Sequence, residues 1–345
     1  MSKTALNLSI LLELSQFVIC PNCSGKVSVA ADEILCADCG RKYPIIDGIP
    51  RFVELGAGVP TRRAFSLKWS KYETGVHPLW SNWIRGEYSA ITYELPVTES
   101  EYQLWRRFLL DSLSVDEQYF NGKAILDAGC GVGWVSYTVS RLGGTVISAD
   151  LSDSSVWLTS RVLDNPNSKV MQADLTRLPF RHGCFDAVIS LGVLHHTNNT
   201  RSSFLSLAKT VKQGGDLFIH VYEKTNPIKE ALTEFVRRVI HVFSEDTQFR
   251  ICKDLLTADF KFLLNNPAKR KFYRLLNILV MIGASPDDTF DVYSPRYNHR
   301  HTFDEVENWF KEAGFQDIKN MNDYYNVGNK RMLHPGALWV SGRKA

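Results

Sequence analysis

The stretch Leu126-Asp127-Ala128-Gly129-Cys130-Gly131-Val132-Gly133 decides the fold of this chain. An apolar run at 124–126 predicts a strand before it, and residues 135–142 predict a helix after it. Glycines in a strand-to-helix turn let the backbone approach a ligand where a Cβ would collide with it. Their spacing is tighter than the Gly-x-Gly-x-x-Gly turn of nicotinamide-binding folds. Taken alone, such a turn leaves a purely structural role equally open.

Further strands with polar ends follow this turn in order. The run 145–149 ends at Asp150, whose carboxylate is placed to accept hydrogen bonds from both hydroxyls of a ribose. The run 169–173 ends at Asp174, and a fourth run leads into His195-His196. Each connection is long enough for a parallel crossover, so the pattern predicts an α/β fold with these acids at one edge of the sheet.

This arrangement resembles the class I S-adenosylmethionine-dependent methyltransferases, with 126–133 as their first motif and 185–196 as their fourth. The resemblance implies a Rossmann-like sheet of seven strands, the last one antiparallel. It also implies that Asp127 helps to hold the ammonium of S-adenosylmethionine, directly or through water, that Asp150 holds the ribose, and that Asp174 accepts a hydrogen bond from the adenine amino group. The cofactor-binding residues implied are Asp127, Gly129, Gly131, Gly133, Asp150, Leu151, Asp174, Leu175 and Ser190.

Four of the seven cysteines form two pairs near the N-terminus. They are Cys20-x-x-Cys23 and Cys36-x-x-Cys39. Two such knuckles can place four thiolates around one tetrahedral zinc ion. Two disulfides or redox thiols are the alternatives, although disulfides are disfavoured in the cytosol.

The residues after the second pair, 40–53, extend the zinc interpretation. Together with the cysteines they resemble the zinc-ribbon module related to the small activator protein of tRNA and protein methyltransferases. The resemblance covers about residues 17 to 54 and implies a structural zinc ion. A ribbon of this size buries little apolar surface, so metal binding would supply its folding free energy. Docking of a substrate or partner is the alternative role.

These features predict three parts: a zinc ribbon at 1–56, an aromatic-rich helical linker or cap at 57–121, and a methyltransferase domain at 122–345. Within the second part, Phe65-x-x-x-Trp69-x-x-Tyr72 has helical spacing that places the three rings on one face. We expect this helix to pack on the catalytic domain. A lid over the cofactor or the acceptor is the alternative.

A helical insertion, 224–300, interrupts the methyltransferase pattern after a helix at 201–211 and a fifth strand at 216–222. Apolar periodicity within the insertion predicts helices at 227–243, 248–264 and 269–282. Ligands bind at the carboxyl ends of strands in open α/β folds, so the insertion is expected to set acceptor specificity. The fold then resumes with a capping box, Thr302-x-x-Glu305, and strands at 315–320 and 337–341.

The acceptor side of the site is predicted from two polar groups of residues. His195 and His196 either shape the pocket edge or act as a base, and His299 is a further candidate base. Transfer to a hydroxyl often requires such a base, whereas transfer to nitrogen or carbon can require placement alone. The loop 291–301 is dense in hydrogen-bonding groups. Its predicted substrate contacts are Tyr293, Arg296 and Tyr297.

Composition and missing motifs narrow the class of acceptor. The net charge of +3 does not by itself imply a nucleic-acid partner, and no apolar run reaches the length of a membrane span, which predicts a cytoplasmic protein. Enzymes that methylate exocyclic amines of bases carry Asn/Asp-Pro-Pro-aromatic after the fourth strand, where this chain has 190–193 Ser-Leu-Gly-Val. The sequence contains no Pro-Cys pair, which argues against carbon-5 methylation of pyrimidines.

The resulting hypothesis is a methyltransferase acting on a small molecule, such as a sugar, a lipid-linked precursor or a secondary metabolite. A ribosomal RNA base methyltransferase is one alternative. A non-catalytic partner protein with a methyltransferase fold is another. The pattern leaves open the atom that is methylated and the oligomeric state.

Overall fold

The N-terminal segment folds as a small antiparallel sheet that holds the four paired cysteines. The computed structural model describes residues 16–30, 32–53, 60–73, 78–81, 90–92, 97–163, 168–256, 271, 279–281, 286–321 and 336–345. The small sheet consists of β1 (Val27–Val29), β2 (Glu33–Cys36), β3 (Lys42–Ile46) and β4 (Ile49–Pro50). Asp47 and Gly48, both with positive φ, form the two-residue turn between β3 and β4.

Two helices are described between the small sheet and the central sheet. The first, α1 (Pro60–Glu73), contains the predicted aromatic face, and it is followed by a hairpin of β5 (Pro78–Ser81) and β6 (Ala90–Thr92). The second, α2 (Glu99–Leu113), begins at a capping box in which Thr98 and Glu101 each bond the backbone N–H of the other.

The central sheet has seven strands and confirms the predicted fold class. They are β7 (Ala124–Ala128), β8 (Thr145–Asp150), β9 (Lys169–Gln172), β10 (Phe185–Leu191), β11 (Val211–Tyr222), β12 (Phe315–Asn320) and β13 (Ala337–Lys344). Their order is β12-β13-β11-β10-β7-β8-β9, and β13 runs antiparallel to both of its neighbours, as predicted. The chain reverses its direction of winding between β7 and β10, which is the position where such sheets bind ligands.

Helices cover the sheet and form the insertion. In chain order they are α3 (Trp134–Arg141), α4 (Asp153–Val162), a short 3₁₀ helix (Leu194–His196), α5 (Thr200–Thr210), α6 (Pro227–Ile240), α7 (Glu245–Ile251), α8 (Pro286–Tyr293) and α9 (Phe303–Glu312). The predicted capping box at Thr302 and Glu305 is present at the start of α9. None of the described helices is long and apolar enough to cross a membrane.

The structure corrects several predicted boundaries. β11 begins at Val211 rather than at 216, because Gly214, with φ +71, allows a bulge within the strand and the register against β10 shifts there. α6 ends at Ile240 rather than at 243. α7 begins at Glu245 and continues as a π-helical turn, Cys252–Leu256. The rest of the second predicted insertion helix and most of the third, 269–282, lie outside the described residues.

The small N-terminal sheet with its four cysteines, here called the ribbon, forms hydrogen bonds with the methyltransferase part of the chain and shares a hydrophobic core with it. Ile19 N–H donates to Pro179 O over 2.9 Å, and Phe52 N–H donates to Gln172 O over 2.8 Å. Cys20 and Cys36 belong to the same hydrophobic core cluster as the sheet. The ribbon therefore covers the edge strand β9, whose backbone would otherwise be open to another chain.

Candidate cofactor and acceptor site

The glycine turn after β7 has a backbone that other residues would strain. Gly129, Gly131 and Gly133 have φ of 88°, 55° and 85°. A Cβ on Gly129 would lie 2.3 Å from Cγ2 of Val193, and one on Gly131 would lie 3.3 Å from the Trp69 ring. The turn is thus closely packed from both sides, and it requires glycine at these positions.

Asp127, at the end of β7, is buried beneath the turn. Its Oδ2 accepts a hydrogen bond from the Ser136 hydroxyl over 2.5 Å, and Ser136 Oγ lies 2.7 Å from Ser148 Oγ. Burial raises the pKa of Asp127 to about 7. The carboxyl group can therefore change its ionisation when a cation is placed beside it.

Asp150 closes the glycine turn from the end of β8. Its Oδ2 accepts from Gly131 N–H over 3.0 Å, and its Oδ1 accepts from Ser152 N–H over 2.8 Å. Burial raises the pKa of this carboxyl group. Leu151 is held by Gln172 of β9, whose Nε2 donates to Leu151 O over 2.9 Å.

The other predicted cofactor residues lie at or just beyond the carboxyl ends of β9 and β10. Asp174 Oδ1 accepts from both the backbone N–H and the hydroxyl of Thr176, each over 2.8 Å, and Leu175 beside it is buried. The Ser190 hydroxyl donates to Ala128 O over 2.8 Å and so ties β10 to β7. The structure therefore brings all nine predicted cofactor residues to one edge of the sheet.

Helix α1 lies over this edge. Its Trp69 contacts the glycine turn, and the Phe65 ring centre is 5.3 Å from that of His196. Arg62 pairs with Asp153 over 2.6 Å. Lys68 pairs over 2.6 Å with Asp291 of the insertion. Phe65 and Trp69 of α1 thus pack on the catalytic domain, whereas the side chain of Tyr72 lies outside the described part of the structure.

His195 is fully buried, and its imidazole forms no hydrogen bond with a described residue. Its ring stacks on Tyr222 at 3.8 Å. Burial lowers the pKa of His195 far below its usual value, and the nearby His196, His220 and Arg300 lower it further, so the imidazole is neutral at pH 7.

His196 has a defined partner. Its Nδ1 lies 3.0 Å from Tyr297 O, and since a carbonyl only accepts, Nδ1 is assigned the proton. Burial lowers the pKa of His196 to about 3. The bond ties the end of the insertion to the 3₁₀ helix. His299 N–H donates to His195 O over 2.9 Å and strengthens the same junction.

The predicted substrate contacts fall in different environments. Tyr293 is fully buried at the end of α8, and its hydroxyl donates to Met281 O over 2.6 Å. Arg296 is exposed, with its guanidinium 5.9 Å from the Tyr297 ring. The ring of Tyr297 stacks on that of His299 at 5.9 Å. Tyr297 and His299 thus lie beside the buried histidines, whereas Tyr293 belongs to the core of the insertion.

The sequence interpretation missed four residues at this edge: His220, Tyr222, Arg300 and Trp339. His220 stacks on Trp339 at 4.7 Å, and the guanidinium of Arg300 lies 5.0 Å from the Tyr222 ring. His220 and Tyr222 end the fifth strand of the central sheet, so the rule that ligands meet carboxyl ends of strands could have identified them. Arg300 and Trp339 carry no such local signal.

The four paired cysteines converge as a metal site would require. Their Sγ atoms all lie within 4.8 Å of one another, with Cys20 and Cys39 at 3.7 Å and Cys23 and Cys36 at 3.5 Å. Tetrahedral zinc with thiolates at about 2.3 Å would place the sulfurs about 3.8 Å apart. The Tyr43 hydroxyl, 3.1 Å from Cys20 Sγ, is placed to donate to a bound thiolate. This donor set fits one structural zinc ion.

Residues 126–219 match the family model described as "Methyltransferase domain". The match spans the glycine turn and all nine predicted cofactor residues. The matched residues lie within the seven-stranded sheet, which has the Rossmann-like methyltransferase fold expected from the sequence.

Comparisons with individual proteins give more distant similarities. The chain is similar to a tRNA U34 carboxymethyltransferase of Trichlorobacter lovleyi, with 27% identity over 172 residues, 48% of this chain and 50% of that protein. It is also similar to the ubiquinone/menaquinone biosynthesis C-methyltransferase UbiE of Citrobacter koseri, with 33% identity over 141 residues, 39% of this chain and 53% of that protein. The chain thus spans about half the length of these curated relatives.

Among solved structures, magnesium protoporphyrin IX methyltransferase from Synechocystis with bound SAH has a TM-score of 0.43 and 14% identity, covering 82% of this chain and 98% of that one.

Proposed function

We propose that this chain is an S-adenosylmethionine-dependent methyltransferase that acts on a small molecule. The observation that carries the proposal is the glycine turn with its positive φ angles, closed by Asp150, inside the segment that matches a methyltransferase domain. In this role Asp127 pairs with the ammonium of the cofactor, Asp150 binds the ribose, and Asp174 binds the adenine amino group. Bound cofactor would supply an electrophilic methyl group at the acceptor side of the sheet edge.

Calorimetry on the full chain tests this assignment. We expect S-adenosylmethionine and its demethylated product, S-adenosylhomocysteine (SAH), each to bind at a single site. Failure of both compounds to bind would contradict the proposal and would favour a non-catalytic partner protein with a methyltransferase fold.

The affinity for SAH is expected to fall as the pH is lowered through about 7. Asp127 has a raised pKa of about 7 in the free protein, so its ionised form, which pairs with the ammonium, is lost below that pH. The folding stability of the free protein is expected to depend on pH in the opposite direction. Because the pKa of Asp127 is raised in the folded state, its contribution to stability is present at low pH and is lost as the pH rises through about 7. The measurement is calorimetry with SAH between about pH 8 and pH 5.5. Asp127→Asn should bind more weakly and should lack this pH dependence, whereas an unchanged wild-type affinity across the range would place the ammonium elsewhere.

The acceptor side is proposed to be the edge formed by His195, Tyr297 and His299. A neutral His195 can hydrogen-bond an acceptor without repelling the positively charged methyl donor. Its strongly lowered pKa favours this positioning role over that of a base. Arg296 remains a predicted contact from the exposed side of the loop, while Tyr293 is proposed to support the loop from within.

An RNA acceptor is the second candidate, favoured by the similarity to a tRNA U34 carboxymethyltransferase. The small molecule is preferred because the net charge of +3 supplies little attraction for a phosphate backbone. Binding of unmodified tRNA or ribosomal RNA fragments that weakens steeply with salt would support the second candidate. Absence of such binding would support the first.

The remaining features fit this function. We propose one structural zinc ion held by Cys20, Cys23, Cys36 and Cys39, a cytoplasmic location, and the three-part division at 1–56, 57–121 and 122–345 with the insertion 224–300. The shared core and hydrogen bonds between ribbon and sheet support a structural role for the ribbon within that division.

A further inference from the structure

We infer that the acceptor carries an anionic oxygen group, a carboxylate or a phosphate, and that Arg300 binds it at the edge lined by His195 and Tyr222. This inference rests on the proposed function and names the chemical class of its acceptor.

Arg300 is a cation without a counter-ion in the described part of the chain. One guanidinium nitrogen donates to Glu223 O over 3.2 Å, another contacts Met281 Sδ, and the group lies 5.0 Å from the Tyr222 ring. No carboxylate of a described residue forms an ion pair with it. Glu230, the carboxylate that most influences its pKa, instead accepts from Thr225 N–H. Burial lowers the pKa of Arg300, which reflects a charge partly withdrawn from water.

Three cations that are buried in the described part of the chain each lie close to a carboxylate. Arg51 lies 3.7 Å from Asp153, Lys68 lies 2.6 Å from Asp291, and Arg237 lies 3.0 Å from Glu234. A charge removed from water without a partner destabilises the folded state, so an anionic ligand group placed beside it would stabilise it. Arg300 differs from the paired cations in this respect, and a bound anion would remove the difference.

The groups around Arg300 are suited to an oxyanion. Buried nitrogens without a partner among the described residues include both of His195, Nε2 of His299 and of His301, and Nε1 of Trp339. Backbone bonds from His299 to His195 and from His301 to Tyr222, each 2.9 Å, hold these side chains on adjoining segments. Indole N–H groups only donate, and a neutral imidazole donates through one nitrogen, so these buried groups include several donors without a partner among the described residues. An oxyanion accepts from both kinds of donor.

The body of the acceptor faces aromatic rings. His195 stacks on Tyr222 at 3.8 Å, and His220 stacks on Trp339 at 4.7 Å. Such rings favour a planar or apolar body. Simple aromatic acids are therefore suitable probes of the site.

The experiment uses the full chain saturated with SAH and three probes: 4-hydroxybenzoate, phenyl phosphate, and the neutral isostere 4-hydroxybenzamide. At least one anion is expected to bind about tenfold or more tightly than the amide, because a charge-assisted hydrogen bond discriminates by this order. The stronger of the two anions identifies the group as carboxylate or phosphate. Arg300→Gln should abolish the preference, Arg300→Lys should retain part of it, and the exposed Arg250→Gln should leave it unchanged.

The inference is overturned if the amide binds as well as both anions, if neither anion binds at millimolar concentration, or if Arg300→Gln keeps the preference. SAH affinity, measured first in each variant, separates these outcomes from a misfolded protein. A wild-type chain that binds no SAH would contradict the proposed methyltransferase function instead.

Discussion

Replacing Asp150 with alanine is expected to weaken SAH binding by at least about a hundredfold. The carboxylate accepts from Gly131 N–H and Ser152 N–H in the free protein, so the substitution both releases the glycine turn and removes the proposed ribose acceptor. Each charge-assisted hydrogen bond contributes about 1.5–3 kcal/mol, and about 1.4 kcal/mol corresponds to a factor of ten in affinity. Calorimetric titration of the purified variant with SAH measures the loss.

Two further variants test whether the loss of SAH affinity comes from the Asp150 carboxylate itself. Asp150→Asn keeps one acceptor oxygen and should lose about tenfold, between the wild type and alanine. Asp116→Ala removes an exposed carboxylate that accepts from Gln118 N–H in the segment before the amino end of β7, and should bind SAH as the wild type does. Wild-type affinity in Asp150→Ala would exclude this carboxylate from the cofactor site.

The central sheet could be predicted because its signals are local. The glycine turn follows β7 directly, the acids end β8 or follow β9, and the strand at Phe315–Asn320 has the predicted bounds. The proposed cofactor side was predicted for the same reason, since each of its residues lies beside an apolar run. The antiparallel last strand came from the family resemblance rather than from any pattern in the residues themselves.

The insertion and the acceptor side depended on contacts that local patterns do not encode. Helical periodicity marks a face but not an end, so α6 was predicted too long and the π-helical turn after α7 was not foreseen. Arg300 lies in a loop. It became a candidate only because the structure places its guanidinium beside the Tyr222 ring and shows no carboxylate partner among the described residues. The pairing of Phe52 with Gln172, which joins ribbon to sheet, likewise has no signal in either segment.

Replacing Cys36 with serine is expected to release the zinc ion and to lower the melting temperature of the whole chain by on the order of 10 °C. Three thiolates bind zinc far less tightly than four, and in a ribbon of this size metal binding is folding free energy. Cys36 also lies within the core cluster shared with the sheet, so loss of the ribbon exposes apolar surface on the catalytic domain. Metal analysis and thermal unfolding measure the two effects.

The matched control is Cys184→Ser, which changes a thiol that is not one of the four paired cysteines and whose Sγ donates to Arg181 O over 3.1 Å. This variant should keep one zinc ion per chain and a melting temperature close to that of the wild type. A chelator added to the wild type should reproduce the effect of Cys36→Ser, because both remove the same ion. An unchanged melting temperature after chelation would contradict this prediction. The contacts with β9 would then hold the ribbon in place without a metal ion, and the four thiols would have no structural zinc.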